Sequence, residues 1–262
     1  MKISIIGAGA MGGAIVEGLI KGDYVQNEDI CVADPVRTTR DHFADMGITA
    51  TPSNQLAAQG ADIVCVVVKP WLVEQVLKGI KDVLDYDKQQ LIVVAAGTKS
   101  DDIKEWMTKE EKMIPTFLVI PNIAIAQLQS MTFIVPSIAV TQQHTDAIVA
   151  LFESMGKTII TDEAHLAAGT TLASCGIAYA MRYVRAASEG GVELGFKADE
   201  AKQIVMQTMR GAVELLAATG LHPEAAIDLV TTPGGVTIKG LNEMEHAGFS
   251  SAVIRGLKAG AK

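Results

Sequence analysis

The sequence predicts an α/β chain in two parts: a doubly wound, mostly parallel sheet over residues 1–161, followed by an all-helical domain over residues 162–262. Three observations predict it. A glycine-rich segment follows a short apolar strand at the start of the sequence, strand and helix patterns alternate as far as about Ile160, and no strand pattern occurs from Glu163 onward.

The first element is Lys2 to Gly13, Lys-Ile-Ser-Ile-Ile-Gly-Ala-Gly-Ala-Met-Gly-Gly. Ile3, Ile5 and Ile6 form the strand, and Gly7, Gly9 and Gly12 follow at the G-x-G-x-x-G spacing. Gly7 permits the tight turn, Gly9 leaves room for a pyrophosphate, and Gly12 lets the next helix lie close on the sheet. That helix, Met11 to Lys21, turns its first N–H groups toward the loop as an anion site. The pattern alone is weak in a chain with 24 glycines. Its context is stronger, because a second strand, Ile30 to Ala33, ends at Asp34, where an acid for the adenosine ribose is expected. The first half therefore reads as a Rossmann-type dinucleotide-binding domain. A domain whose glycines serve packing alone is the alternative.

Further strands are predicted at Ile48–Ala50, Ile63–Val68, Leu91–Ala95, Thr116–Ile120, Thr132–Val135 and Thr158–Ile160. Helices intervene at Thr38–Met46, Asn54–Ala58, Trp71–Val83, Ser100–Met107 and His144–Ser154. The second half gives helical patterns at 163–194, 198–218, 223–230, 237–247 and 249–259, with Gly195 and His222-Pro223 as punctuation. The first of these is apolar nearly all round. Such a helix is expected to bury itself against another subunit, so a homodimer built through this half is predicted.

Ligands of open α/β sheets bind beyond the carboxyl ends of the strands, which makes the residues after each strand informative. Here they are Val68-Lys69-Pro70, Ala95-Ala96-Gly97 and Pro121-Asn122. Small residues and prolines at these ends leave a groove for the nicotinamide. Lys69 is placed to orient ribose or diphosphate, with a solvated lysine as the alternative. Asn122 is similarly balanced between a functional residue and half of a Pro-Asn turn. Far downstream, Val230-Thr-Thr-Pro-Gly-Gly-Val-Thr-Ile-Lys-Gly-Leu241 forms a loop entering a helix, with N–H groups beside the Thr231, Thr232 and Thr237 hydroxyls. It reads as a carboxylate site without a charged side chain, or as a helix–helix turn capped by threonine.

With 49% hydrophobic and 20% charged residues the chain has the composition of a folded protein. Its net charge of −8 and lack of a basic run argue against a nucleic-acid partner. Cys31, Cys65 and Cys175 have no metal-ligand spacing and read as core residues of a reducing compartment. The uncharged stretches Leu166–Met181 and 113–143 are too short or too broken by proline for a membrane span. No secretory pattern precedes the first strand, and a cytoplasmic protein is expected.

Taken together, the segment 230–241, Glu245-His-Ala-Gly-Phe249, Val68-Lys69-Pro70, Ala95-Ala96-Gly97 and Pro121-Asn122 resemble pyrroline-5-carboxylate reductase, from Met1 to about Lys258. The resemblance implies a Rossmann domain followed by a helical dimerisation domain, with dimers often joined into rings. It implies reduction of the cyclic imine Δ1-pyrroline-5-carboxylate to L-proline by NADPH or NADH, the last step of proline synthesis. Carried over by position, Gly7, Ala8, Gly9, Ala10, Met11 and Gly12 hold the pyrophosphate, and Asp34 and Arg37 surround the adenosine ribose. Asn54, Val68, Lys69, Pro70, Ala95, Ala96 and Gly97 line the rest of the cofactor. Thr232, Gly234, Gly235, Val236 and Thr237 bind the substrate, and Thr237 meets the ring nitrogen as it becomes an amine. Orientation then supplies most of the catalysis, and no histidine is required. His42, His144, His165, His222 and His246 accordingly read as structural.

The chain departs from the family pattern in places. Ser174-Cys175-Gly176-Ile177-Ala178-Tyr179 stands where Gly-Ser-Gly-Pro-Ala-Tyr is usual, Leu118 where an arginine is common, Ile123-Ala124 where Thr-Pro often follows, and Val236 at a threonine-like position. A divergent reductase of another small cyclic imine and a non-catalytic dinucleotide sensor are the alternatives. A β-hydroxyacid dehydrogenase is disfavoured, since Leu166–Met181 lacks the lysine it needs. Cofactor choice is contested: Asp34 favours NAD, while Arg37 and Arg40 suit the 2′-phosphate of NADP, and the family tilts the balance slightly toward NADP.

Overall fold

Eight strands form one sheet in the first part of the chain: β1 (Ile3–Ile6), β2 (Ile30–Ala33), β3 (Thr49–Thr51), β4 (Ile63–Val66), β5 (Gln90–Val93), β6 (Thr116–Ile120), β7 (Ser130–Pro136) and β8 (Gly156–Ile160). Their order is β3-β2-β1-β4-β5-β6-β7-β8, parallel throughout except between β6 and β7. The chain winds outward from β1 to β3 and returns on the other side at β4. The crevice between β1 and β4 is therefore the switch point where ligands bind. The structure, a computed structural model, describes residues 1–137 and 139–261.

Helices α1 (Ala10–Gly22), α2 (Arg37–Asp45), α3 (Asn54–Ala58), α4 (Val73–Ile80), α5 (Ser100–Met107) and α6 (Gln142–Glu153) cover the sheet. Alternation along the strands divides the core between its two faces. Ile3, Ile5, Cys65, Phe117 and Val119 join Ile15, Val16 and Leu19 of α1 on one face. Ile6, Val64, Val66, Leu118 and Ile120 join Val73, Leu77 and Ile80 of α4 on the other. With both faces buried the central strands are nearly continuous apolar runs, broken in β1 by the buried Ser4, each large apolar side chain contributing ~1.5–3 kcal/mol. Leu118, at the position where an arginine is common, is one of these core residues.

Two expectations need correction. β4 and β5 end at Val66 and Val93 rather than at 68 and 95. Val67 and Val94 still donate to Ile6 and Val66, but the chain then leaves the sheet, toward Pro70 in one case and into a turn at Gly97 in the other. The helix expected over 163–194 is three pieces: α7 (Glu163–Gly169), a π-helical turn (Thr170–Cys175) and α8 (Gly176–Glu193). Thr170 Oγ1 donates to the Leu166 carbonyl at 2.7 Å as α7 gives way to the π-turn.

The chain divides into two compact units, Met1–Ile177 and Ala178–Lys262. The second holds most of α8, then α9 (Ala198–Thr219), α10 (Pro223–Asp228), α11 (Val236–His246) and α12 (Phe249–Gly260). Among its described residues Ala201 is the one buried side chain, while Met181, Leu194, Val213 and Ile254 are exposed. Among the described residues no helix is long and apolar enough to cross a membrane.

Candidate active site

The glycine-rich loop runs from the end of β1 to the start of α1. Gly7 has φ +91°, and a Cβ there would strike the Val67 carbonyl oxygen across the switch point. A Cβ on Gly12 would strike the Gly7 carbonyl oxygen, so the helix lies close only because that position is glycine. Gly9 faces open space and is the N-cap of α1 without a side-chain cap. The first N–H groups of α1, from Ala10 and Met11, therefore remain available to an anion at the mouth of the loop.

Asp34 follows β2 and is buried. Its Oδ2 accepts the Ala8 N–H at 2.8 Å and its Oδ1 accepts the Val36 N–H at 2.8 Å. Arg40 donates to the Asp34 and Pro35 carbonyl oxygens at 2.7 and 2.8 Å and holds the turn before α2. Arg37 pairs with Asp41 at 3.5 Å with its side chain 85% exposed. The two arginines thus differ: Arg40 is tied to the backbone, and Arg37 is accessible.

Beside this loop, at the carboxyl ends of β1, β2 and β4, lies a crevice of about 450 Å³. It brings together Gly7, Asn54 and Val68 from the expected set with Ser53, Leu72 and Val76. The last three were missed by sequence reasoning. Leu72 and Val76 carry the apolar spacing of an ordinary core-facing helix, and Ser53 reads as what it also is, the cap of α3 through the Leu56 N–H.

At the adjacent strand ends, Lys69 and Pro70 are exposed and open a short 3-10 turn, with Leu72 N–H donating to the Lys69 carbonyl at 2.9 Å. Ala95 is buried, while Ala96 and Gly97 form the exposed apex of a turn closed from Thr98 N–H to the Ala95 carbonyl at 3.4 Å. Asn122 lies buried after β6 and caps a 3-10 helix, Ile123–Gln127.

The 230s loop belongs to the second unit. Gly235 is the N-cap of α11 with no side-chain cap, so the threonine cap considered from sequence is absent there. Gly235 N–H donates to the Thr232 carbonyl at 2.9 Å, and Thr231 Oγ1 closes the preceding helix on Asp228 at 3.1 Å. Val236 and Thr237 stand exposed in the first turn of α11.

Three histidines serve local structure. His144 completes a capping box with Thr141, His222 accepts the Glu224 N–H, and His165 pairs with Asp162 at 2.7 Å. The last contact holds the Asp162 carboxyl below the usual carboxylate range. Burial pushes the Cys65 thiol up to about 12 and also raises that of Cys31, which makes both poor nucleophiles.

Comparison with known proteins matches this geometry in both halves. A family model described as pyrroline-5-carboxylate reductase dimerisation matches residues 163–262, and one described as NADP oxidoreductase, coenzyme F420-dependent, matches residues 2–97. The chain is 35% identical over 266 residues to pyrroline-5-carboxylate reductase 1 of Dictyostelium discoideum, covering 97% of this chain and 48% of that relative. It is 34% identical over 260 residues to the pyrroline-5-carboxylate reductase of Pisum sativum, covering 99% of this chain and 93% of that one. The crystal structure of 1-pyrroline-5-carboxylate reductase from Streptococcus pyogenes superposes with a TM-score of 0.85 at 28% identity, over 100% of this chain and 98% of that one. With a glycine-rich loop at the switch point, a helical second half, and relatives aligned across both, the chain belongs to the pyrroline-5-carboxylate reductase family.

Proposed function

We infer that this chain reduces the C=N bond of L-Δ1-pyrroline-5-carboxylate to give L-proline, the last step of proline biosynthesis, with NADH or NADPH as reductant. The observation that carries the reading is the family likeness running through both halves over a built dinucleotide loop. The residues present fit the cofactor: α1 begins uncapped, Gly9 opens onto free space, and the neighbouring crevice of about 450 Å³ has the size of a nucleoside site.

When bound, the reduced nicotinamide supplies the hydride that the imine carbon accepts. Gly7 to Gly12 hold the pyrophosphate, Asp34 and Arg37 the adenosine ribose, and Asn54, Val68, Lys69, Pro70, Ala95, Ala96 and Gly97 the remainder of the cofactor. Thr232, Gly234, Gly235, Val236 and Thr237 bind the substrate carboxylate and ring nitrogen, a role supported by the uncapped start of α11. Thr237 hydrogen-bonds the nitrogen as it becomes an amine, and orientation provides most of the rate. NADP is preferred over NAD, which the accessible Arg37 supports.

Two chains pair through their helical halves. The dimerisation model over residues 163–262 and the scarcity of buried side chains in the second unit support this. We draw the functional boundary at 161/162, just past the end of β8 at Ile160. Three free thiols, Cys31, Cys65 and Cys175, support a reducing, cytoplasmic setting.

The test is steady-state oxidation of NADPH and NADH, followed at the nicotinamide absorbance, with Δ1-pyrroline-5-carboxylate as substrate. Turnover with both, and a higher kcat/KM for NADPH, is expected. Absence of turnover despite dinucleotide binding overturns the substrate assignment.

A further inference from the structure

We propose that Asn122 is a positioning residue for this reaction, acting through the π-turn at 170–175 rather than by touching the substrate; the proposal rests on the function inferred above. Asn122 is the second residue past β6 and is 3% exposed, so its amide needs partners from the protein. Its Oδ1 accepts the Ala124 N–H at 3.0 Å, and its Nδ2 donates to the Ala173 carbonyl at 3.4 Å, inside the π-turn. One partner is an N–H and the other a C=O, which fixes the orientation of the amide. Its own N–H donates to Ser130 Oγ at 3.1 Å, and that hydroxyl meets Thr132 Oγ1 at 2.9 Å in the core.

The segment that Asn122 holds packs on β7 and reaches the carboxyl end of β6 at its far end. At one end Glu163 accepts the Ser100 N–H at 3.1 Å, just past the turn at Ala95–Gly97. In the middle, Leu166 is buried in the cluster that includes Val93, Ala95, Leu118 and Ile120. At the other end Ala173 rests on Asn122. Residues 163–175 thus run from the first residue of α5, along β7, to Asn122 just past the end of β6, beside the strand ends to which the nicotinamide groove is assigned. A π-turn widens the helix by one residue, is rare, and recurs at functional sites. An outside donor to one of its carbonyls sets where its residues stand.

The same side chain also fixes the other wall. The 3-10 helix it caps packs on α1, where a Cβ on Gly18 would come within 2.7 Å of the Ile125 carbonyl oxygen. Through one amide, the helix that begins at the phosphate loop and the turn beside the strand ends are held in a single arrangement. A displacement of about 1 Å at such a site costs up to about a hundredfold in rate.

Asn122→Asp keeps an oxygen for the Ala124 N–H but sets a carboxylate against the Ala173 carbonyl. Asn122→Ser keeps a cap and is too short to reach Ala173. In both variants kcat with Δ1-pyrroline-5-carboxylate falls about ten- to a hundredfold, while KM for the dinucleotide stays within about twofold. Amide hydrogens of 171–177 exchange faster than in the wild type. Wild-type kcat in both variants overturns the proposal, and so does a lowered kcat with unaltered exchange at 171–177, because the effect then bypasses the turn. The exchange comparison needs no substrate. If the wild type fails to turn over the imine, the inferred function falls, and unaltered exchange in the variants still overturns the positioning role.

Discussion

The Asp34 carboxylate accepts the Ala8 N–H at 2.8 Å, and through that bond the end of β2 fastens the middle of the glycine-rich loop. The second carboxylate oxygen takes the Val36 N–H, so the acid expected to meet the ribose also shapes both walls of its crevice. A carboxylate has lone pairs beyond these two bonds, and contact with a ribose hydroxyl remains compatible with them.

Asp34→Ala removes two charge-assisted hydrogen bonds and leaves the Ala8 N–H without its partner. Stability should drop by about 2–3 kcal/mol, read by thermal or urea denaturation. Affinity for NADH and NADPH should weaken together, read by nicotinamide fluorescence. Tighter NADPH binding in this variant would show that repulsion of the 2′-phosphate outweighs the fastening.

How legible each feature was depended on which atoms define it. Gly7 and Gly12 were readable because the need for glycine lies in the backbone itself, Gly9 was readable by its spacing alone, and the helices of the second half were readable because Gly195 and His222-Pro223 punctuate them. The ends of β4 and β5 were overshot because Val67, Val68, Val94 and Ala95 stay apolar after the strands stop. The π-turn was invisible: in the uncharged run Thr170–Cys175 one extra residue per turn leaves no mark on the hydrophobic pattern. The partners of Asp34 were equally hidden, since both are backbone N–H groups that every residue but proline carries.

Arg37 and Arg40, three positions apart, should separate in kinetics. Arg37 is accessible, whereas Arg40 is bound to the Asp34 and Pro35 carbonyls. Arg37→Ala should raise KM for NADPH by about tenfold or more and leave that for NADH nearly unchanged, as expected for loss of one charge-assisted phosphate contact. Arg40→Ala should weaken both cofactors and lower the melting temperature. Equal effects of Arg37→Ala on the two cofactors would remove it from the 2′-phosphate site.

Glu110 and Glu111 occupy the left-handed region in succession, at φ 49° and 64°, between Lys109 and Lys112, which bond to each other at 3.0 and 2.8 Å. This is the backbone of a tight hairpin turn that prefers Asn-Gly. The double substitution Glu110→Asn, Glu111→Gly should stabilise the protein by about 1–2 kcal/mol with kcat unchanged. Calorimetry gives the direct comparison, and a lowered melting temperature would mean that the glutamates make compensating contacts.

The helical half presents a groove of about 600 Å³ lined by Tyr179, Tyr183, Met244, Phe249 and Val253. Covering it with a second chain would supply the burial that a lone helical half lacks. Phe249→Asp should then weaken dimerisation by about 100-fold or more, since a buried unpaired charge costs several kcal/mol. Sedimentation across a dilution series measures this, and a dimer as tight as the wild type would place Phe249 outside the interface.

Thr237 tests the proposed substrate contact separately from the proposed cofactor contacts. It stands exposed in the first turn of α11, behind a glycine N-cap that offers no side chain to the helix N–H groups. Thr237→Val keeps the shape of the side chain and the helix start but deletes the hydroxyl. If that hydroxyl hydrogen-bonds the ring nitrogen as hydride arrives, kcat should fall about tenfold or more, as for loss of one hydrogen bond formed in the transition state. The dissociation constant of NADPH should stay unchanged, and so should the melting temperature, because among the described residues no hydrogen bond is made by this hydroxyl. Unchanged turnover would assign the substrate contact to the backbone N–H groups of residues 236 and 237 alone, and Thr237→Ser should then be as silent as Thr237→Val.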